Sequence, residues 1–145
     1  MNPFQEIFEA QKAYFASNVT RTYEWRVDQL SRMGRMIKEN EAALQKAMER
    51  DFKTASQEYI FETAACFGET EFQKSQLKSW MTPEEAPAPR ALAESGHKGI
   101  VYRDPYGVVL IMGPFNGPLL LLIRPTITAL AAGNKIGRAS CRERV

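Results

Sequence analysis

Residues 104–134 read DPYGVVLIMGPFNGPLLLLIRPTITALAAGN, and this stretch decides the fold class of the chain. Within it, residues 108–112 form a continuous apolar run, which is typical of a strand buried on both faces of a parallel sheet. A loop rich in glycine and proline follows over 113–118, and an apolar helical segment follows over 119–132. Because Gly133 and Asn134 form a helix-stop signal, this order of elements predicts the front of a βαβ unit.

The first 80 residues predict a layer of helices. A first amphipathic segment carries Glu6, Ile7, Ala10, Tyr14 and Phe15. In a second helix, over residues 22–38, the apolar residues recur at three- and four-residue steps and share one face: Val27, Leu30, Met33 and Ile37. The polar residues between them are expected to face water: Arg26, Asp28, Arg32, Arg35 and Lys38.

Two more helices, a linker and a strand follow. Asn40 is expected to cap a third helix, whose apolar face is Leu44, Ala47, Met48 and Phe52. Thr54 and Gln57 fit a capping box, which opens a long fourth helix that runs to Trp80. Residues 82–90 contain three prolines and no periodicity, so they predict an extended linker, whereas the alternation over 98–103 predicts a strand.

These elements predict an α/β fold, in which an N-terminal helical layer precedes the first strands and helix of a doubly wound domain. A lone strand and helix cannot bury the apolar face of the 108–112 run. We therefore expect the domain to be incomplete within residues 1–135.

The composition is that of an ordinary soluble protein. Of 145 residues, 44% are hydrophobic and 25% are charged, which excludes collagen-like, disordered and disulfide-scaffold classes. One histidine and two cysteines exclude a histidine metal triad and a cysteine-rich zinc site within this chain. The apolar run at residues 119–123 is far shorter than the ~20 residues of a membrane span, and no other apolar run is longer. Residues 1–16 lack a signal-peptide pattern, so we expect a cytoplasmic protein.

Residues 136–145, IGRASCRERV, break with the pattern of the chain. They resemble a translated sequencing adapter codon by codon, so we expect a non-native tail and exclude it from the fold. The second strand of the βαβ unit should then be missing. The tail carries three arginines and one glutamate, so residues 1–135 have no net charge and give no sign of a nucleic-acid partner. The alternative is a short basic tail that binds nucleic acid or a membrane.

Three motifs occur in order in the deciding stretch: DPYGVV from residue 104, PFNGP from residue 114 and AAGN from residue 131. This block resembles the aldehyde dehydrogenase superfamily, where the patterns are P-x-G-V-V, P-W-N-x-P and A-A-G-N. Residues 44–52, the Glu58 and Glu62 region and residues 80–83 resemble its class 3 subgroup of fatty-aldehyde and coniferyl-aldehyde enzymes. The likeness covers about residues 20–134 and implies that the α/β unit is part of an NAD(P)-binding domain.

The resemblance implies an enzyme that oxidises a small-molecule aldehyde to a carboxylic acid with NAD or NADP. In the family a cysteine thiolate forms a thiohemiacetal, hydride passes to the cofactor, and a glutamate activates the water that hydrolyses the thioester. That cysteine and that glutamate belong to later segments. We therefore expect the fragment to be inactive and its parent to be a homo-oligomer.

By motif position, Asn116 corresponds to the family asparagine that donates to the oxyanion. Taken alone, an asparagine beside glycine would be interpreted as a turn residue. Four residues correspond to the strand end that lines the nicotinamide side of the cofactor cleft: Met112, Gly113, Pro114 and Phe115. Phe115 stands where tryptophan is usual. Gly117 stands where an aromatic residue often lines the substrate tunnel, so we expect it to widen the tunnel for long or bulky aldehydes.

The other reactive side chains predict no second site. Cys66, inside the fourth helix, is expected to be a buried apolar residue and not a nucleophile. His97 is expected to be a solvated loop residue, and Glu84 and Glu85 a charged pair in the linker and not an acid–base pair. Lys135 follows Asn134 directly, which is the wrong spacing for the cofactor-binding lysine of the family.

Two other function classes stay open on the residues alone. The helices of residues 1–80 could form a non-enzymatic interaction module. A helical module does not account for the strand at 108–112, whose pattern predicts burial on both faces. A peripheral membrane protein would depend on residues 119–123, which are too few and lack a basic amphipathic face.

Overall fold

The computed structural model describes residues 4–52 and 56–140, which form a helical layer followed by a strand–helix–strand unit. The helical layer consists of α1 (Gln5–Ala16), a 3-10 turn (Val19–Arg21), α2 (Tyr23–Glu39), α3 (Glu41–Phe52) and α4 (Ser56–Met81). After it come β1 (Glu84–Ala86), α5 (Arg90–Glu94), β2 (Gly99–Val101), β3 (Val108–Gly113), α6 (Leu120–Ala131) and β4 (Lys135–Ser140). This order confirms the predicted α/β fold.

Helix α2 buries the face that its periodicity predicts. Leu30 and Ile37 are buried, and Val27 and Met33 pack against the same core. Asn40 lies between α2 and α3, but its side-chain amide donates to the Met36 carbonyl and so closes α2 instead of capping α3. The capping box predicted for Thr54 and Gln57 stays a prediction, since Thr54 lies outside the described residues.

Helix α4 does not bury its hydrophobic residues as a simple stripe. Its buried positions include four polar residues, Glu62, Thr63, Thr70 and Gln73, whereas Ile60, Phe61 and Phe72 are more than half exposed. The approach to α2 is close, since a Cβ at Gly34 would lie 3.1 Å from Thr70 Oγ1. Small polar side chains on α4 therefore lie where larger apolar ones would keep the two helices apart.

One apolar core joins the helical layer to the α/β unit. Its buried residues come from α2, α3, α4 and the α6 region: Leu30, Ile37, Met48, Cys66, Leu77, Leu119, Ile127 and Ala131. Because three of these eight lie in or next to α6, the helices of residues 1–80 share their core with the strand–helix unit. This packing argues against a separate helical module.

Arg26 was expected to face water, and the structure shows that this is wrong. The residue is only 6% exposed, and its Nε and Nη1 donate to the carbonyls of Thr20 and Ala131. Burial lowers its pKa, Arg21 lowers it further, and Asp104 raises it. A cation is favoured beside the last carbonyls of a helix, so this guanidinium stabilises the C-terminus of α6.

The segment predicted as an extended linker contains strand β1. Residues Glu84–Ala86 pair antiparallel with β2. Two ion pairs support the pairing, one between Glu84 and Arg103 at 2.8 Å and one between Glu85 and Lys98 at 2.9 Å. Hydrogen bonding to Arg103 lowers the pKa of Glu84. The two glutamates are thus structural partners of cations, which agrees with the prediction that they form no acid–base pair.

Strand β4 corrects the expectation that the second strand is missing. Residues Lys135–Ser140 pair with β3 in parallel, in the register Val108↔Lys135 to Gly113↔Ser140. Helix α1 supports the strand, since Gln11 Nε2 donates to the Ile136 carbonyl at 3.0 Å. Ladder pairing uses backbone groups, so it places few demands on side chains. The adapter-like origin of residues 136–145 stays a prediction, and 141–145 lie outside the described residues.

Strand β3 is not covered on both faces by the part of the chain that the structure describes. Leu110 and Met112 are 62% and 64% exposed, although the pattern of residues 108–112 predicts burial on both sides. The reason is the small size of the parallel sheet, which has two strands in the described residues. An uncovered apolar face is what an incomplete domain would leave.

The Asn134 side chain links the two ends of the strand–helix segment of the βαβ unit. The residue is 3% exposed, and its Oδ1 accepts from the Gly107 amide at 3.0 Å, just before β3. Its Nδ2 donates to the Ala129 carbonyl near the end of α6. Gly133 ends the helix with a φ of 87°, a conformation that glycine adopts without strain. One side chain therefore joins the end of α6 to the start of β3.

Replacing Asn134 with alanine should lower the free energy of unfolding by about 1–3 kcal/mol, because the buried Gly107 amide loses its acceptor. Asn40→Ala is the matched control, since the Asn40 amide also donates to a helix carbonyl but is exposed. Urea unfolding followed by circular dichroism measures both variants. Equal losses of stability would contradict the proposed linking role of Asn134.

Candidate active site

The predicted site residues lie together at the carboxyl end of β3. Met112 and Gly113 end the strand, and the loop to α6 carries Pro114, Phe115, Asn116 and Gly117. In open α/β sheets, ligands bind at the carboxyl ends of the parallel strands. The structure thus places the whole predicted set at one edge of the sheet.

Four side chains of this set reach the surface, and Pro114 is one of them. Met112 is 64% exposed, Phe115 is 69% exposed, and Asn116 is exposed as well. Within residues 4–52 and 56–140, no hydrogen bond holds the Asn116 side chain. Its amide is therefore available to donate to a ligand oxygen.

Gly113 lets strand and helix approach closely. A Cβ at this position would lie 2.8 Å from the Cβ of Leu122 in α6, which is too close for any larger residue without movement. The glycine therefore fixes the start of the loop against the first turns of α6. This contact is a packing reason for glycine at the strand end, beside the cofactor role that the motif predicts.

Glu62 is the site residue that sequence analysis missed. Glu62 is 7% exposed, and its Oε2 accepts from the amides of Leu119 and Leu120 at 3.0 Å each. These amides belong to the first turn of α6, where backbone donors have no partner inside the helix. A carboxylate is also favoured at the positive end of the helix dipole. A usable signal was present in the sequence: Glu62 lies one helical turn from Cys66, which was expected to be buried.

Gly117 is buried between α6 and α4. A Cβ there would lie 3.1 Å from Leu121 Cδ1 and 3.9 Å from Glu62 Oε1. Leu121 is 43% exposed, so its side chain has room to move aside. A larger residue at 117 would thus change the local surface by displacing a side chain.

The residues at the strand end fit one part of a nicotinamide cofactor. The segment 112–115 has no charged side chain and exposes a methionine and a phenylalanine beside backbone groups. Such a surface can pack against a flat aromatic ring such as nicotinamide. It offers no cation for the pyrophosphate.

Cys66 is buried at 1% exposure, and its Sγ lies 3.5 Å from the Leu119 carbonyl. Burial, helped by the negative charge of Glu62, raises the pKa of the thiol to about 11. A thiol in this state is a poor nucleophile, which confirms the prediction of a buried apolar role.

The remaining reactive groups form no second centre. His97 is exposed, as predicted, and its Nδ1 lies 2.9 Å from Ser95 Oγ. No group of metal-binding side chains occurs in the described part of the chain, and none of its helices is long and apolar enough to cross a membrane. A cleft of about 350 Å³ beside Arg26 and Trp80 lies near the C-terminus of α6, and no predicted site residue lines it.

Comparison with known proteins agrees with the geometry. Residues 3–136 match the sequence model of the aldehyde dehydrogenase family. Human aldehyde dehydrogenase family 3 member B1 is 34% identical over 135 residues, which are 92% of this chain and 28% of that protein. The dog protein named "aldehyde dehydrogenase, dimeric NADP-preferring" is 32% identical over 94% of this chain and 30% of its own length.

A solved structure gives the same result for the fold. The substrate-bound state of Staphylococcus aureus AldH superposes with a TM-score of 0.87 at 30% identity. The match covers 94% of this chain and 30% of that one. The chain therefore spans less than a third of the length of each of these relatives.

The raised pKa of Cys66 predicts slow reaction with a thiol reagent. With Cys141→Ser removing the second cysteine, the thiolate fraction at pH 8 should be about a hundredfold below that of a thiol at the ordinary value of 9.0. The rate should rise until about pH 11 and should recover at pH 8 once urea unfolds the chain. A fast reaction of the folded chain at pH 8 would show that Cys66 is not protected.

Proposed function

Since this chain belongs to the aldehyde dehydrogenase family, we propose that it is the N-terminal part of an NAD(P)-dependent enzyme that oxidises an aldehyde to a carboxylic acid. One observation carries the proposal: an exposed asparagine amide, Asn116, stands in the loop that leaves the carboxyl end of a parallel strand. An amide in that place can stabilise an oxygen that becomes negative when a nucleophile attacks an aldehyde.

The described residues can position a cofactor and an aldehyde oxygen, but they contain no reactive nucleophile. The Cys66 thiol is buried and protonated at neutral pH, so it does not supply the attacking thiolate of the family mechanism. The 145-residue chain should for this reason be inactive by itself. The names of the relatives, among them an NADP-preferring and dimeric enzyme, support an oligomeric parent that uses NAD or NADP.

Within the parent, Met112, Gly113, Pro114 and Phe115 would hold the nicotinamide end of the cofactor, which accepts hydride when bound. Their uncharged surface excludes water from the reacting carbon on one side. Asn116 follows directly, so its amide can donate to the aldehyde oxygen beside that surface.

The oxyanion role is tested by Asn116→Ala in the full-length protein, whose reading frame is recovered by sequencing the source DNA past the Lys135 codon with adapter-free primers. We expect kcat to fall by about 10²–10³, the usual cost of one oxyanion donor, with KM nearly unchanged. Asn40→Ala, an exposed asparagine at the end of α2, is the control. An unchanged kcat in Asn116→Ala would contradict the proposal.

The substrate class is tested at Gly117. Gly117→Phe should reduce kcat/KM for long-chain aldehydes more than for short ones, because the ring has to displace Leu121 and changes the surface beside Asn116. Gly117→Ala is the matched control, since its Cβ only displaces Leu121 by a few tenths of an ångström. Steady-state kinetics on a series of straight-chain aldehydes measures the difference, and an equal loss across the series would refute a tunnel role for Gly117.

A further inference from the structure

We propose that Glu62 is a positioning residue, whose carboxylate anchors the β3–α6 loop and thereby sets the place of the Asn116 amide. The catalytic meaning of this inference rests on the proposed function. The anchoring itself does not, so the two can be tested apart.

The anchor satisfies donors that the helix cannot satisfy itself. Leu119 precedes α6 and has no side-chain acceptor for the first amides of the helix. Glu62 comes from 57 residues earlier in the chain and accepts from the amides of both Leu119 and Leu120. Removal of the carboxylate leaves the nearly buried Leu119 amide without a partner, which is costly inside a protein.

Helix α4 contacts both the backbone amide and the backbone carbonyl of residue 119. Glu62 accepts from its amide, and Cys66 Sγ lies 3.5 Å from its carbonyl oxygen. Positions four apart on a helix share one face, so these two residues form one contact surface on α4. The end of the loop is thus tied to the helical layer at two points.

Asn116 lies between Gly113 and Gly117, two residues that are each packed closely against helix α6. On one side, Gly113 packs against Leu122 so closely that a Cβ would not fit. On the other side, Gly117 is buried with its Cβ position 3.9 Å from Glu62 Oε1. Since no described residue bonds to the Asn116 side chain, the backbone at these two ends sets the position from which its amide extends.

Hydrogen exchange measured by mass spectrometry on the 145-residue chain tests the anchoring. Glu62→Leu should speed exchange of the Leu119 and Leu120 amides by about tenfold or more, because both lose a charged acceptor. Glu62→Gln keeps an oxygen acceptor and should stay within about threefold of the unmodified chain. If Glu62→Leu does not fold, Glu62→Asp replaces it, since the shorter carboxylate keeps the charge but cannot reach both amides.

Glu69→Leu is the matched control for this measurement. Glu69 also lies on α4 and bonds to α6, but its partner is the side chain of Arg124 at 2.8 Å. This variant should leave the Leu119 and Leu120 amides protected. The anchoring is overturned if Glu62→Leu leaves exchange at these amides unchanged, if it speeds exchange equally along the whole chain, or if Glu69→Leu has the same local effect.

A double-mutant cycle in the full-length enzyme tests the positioning role. If Glu62 acts through Asn116, then Glu62→Leu lowers kcat alone but adds little once Asn116 is alanine. A full, additive loss on the Asn116→Ala background would overturn the positioning role even though the anchor is real. If Asn116→Ala itself leaves kcat unchanged, the proposed function fails and the positioning role fails with it, while the exchange result still decides the anchoring.

Discussion

The two ends of helix α6 are held by charged side chains from the helical layer, and the geometry of the site depends on this arrangement. Glu62 of α4 accepts from the first amides of the helix, and Arg26 of α2 donates to one of its last carbonyls. Each charge has the sign that the helix dipole favours at that end. Both are nearly buried, so each would be costly without its partner.

This arrangement explains why the helical layer and the strand–helix unit form one body. The apolar core alone would hold α6 against α2 and α4, but apolar contacts are not directional. The hydrogen bonds of Glu62, Arg26 and Asn134 set where the helix begins and ends, and so determine how the loop after β3 leaves the sheet. The loop can therefore present an exposed amide at a defined place.

The periodicity and motifs of the sequence predict much of the fold and the position of the candidate site. The bounds of α2, β3 and α6 follow from local periodicity, a strand-length apolar run and a helix-stop signal, all of which are properties of neighbouring residues. The candidate site residues 112–117 could be predicted because they are contiguous in the chain and carry a recognisable motif. Arg26 and Glu62 were not found as anchors, since their partners lie 105 and 57 residues away. Strand β1 was missed for a similar reason, because a three-residue strand is defined by its pairing partner.

The sequence by itself determined the fold class, the family likeness and the stretch that carries the candidate site, because these depend on the order and spacing of residue types. Only the tertiary structure decided which polar residues are buried, which strand pairs with β3 and what holds the loop of Asn116. Those features arise from contacts between distant segments, where a charged side chain is stable inside the protein only when the fold brings it a partner. Such a partner cannot be predicted from the pattern of neighbouring residues, because it comes from a distant part of the chain.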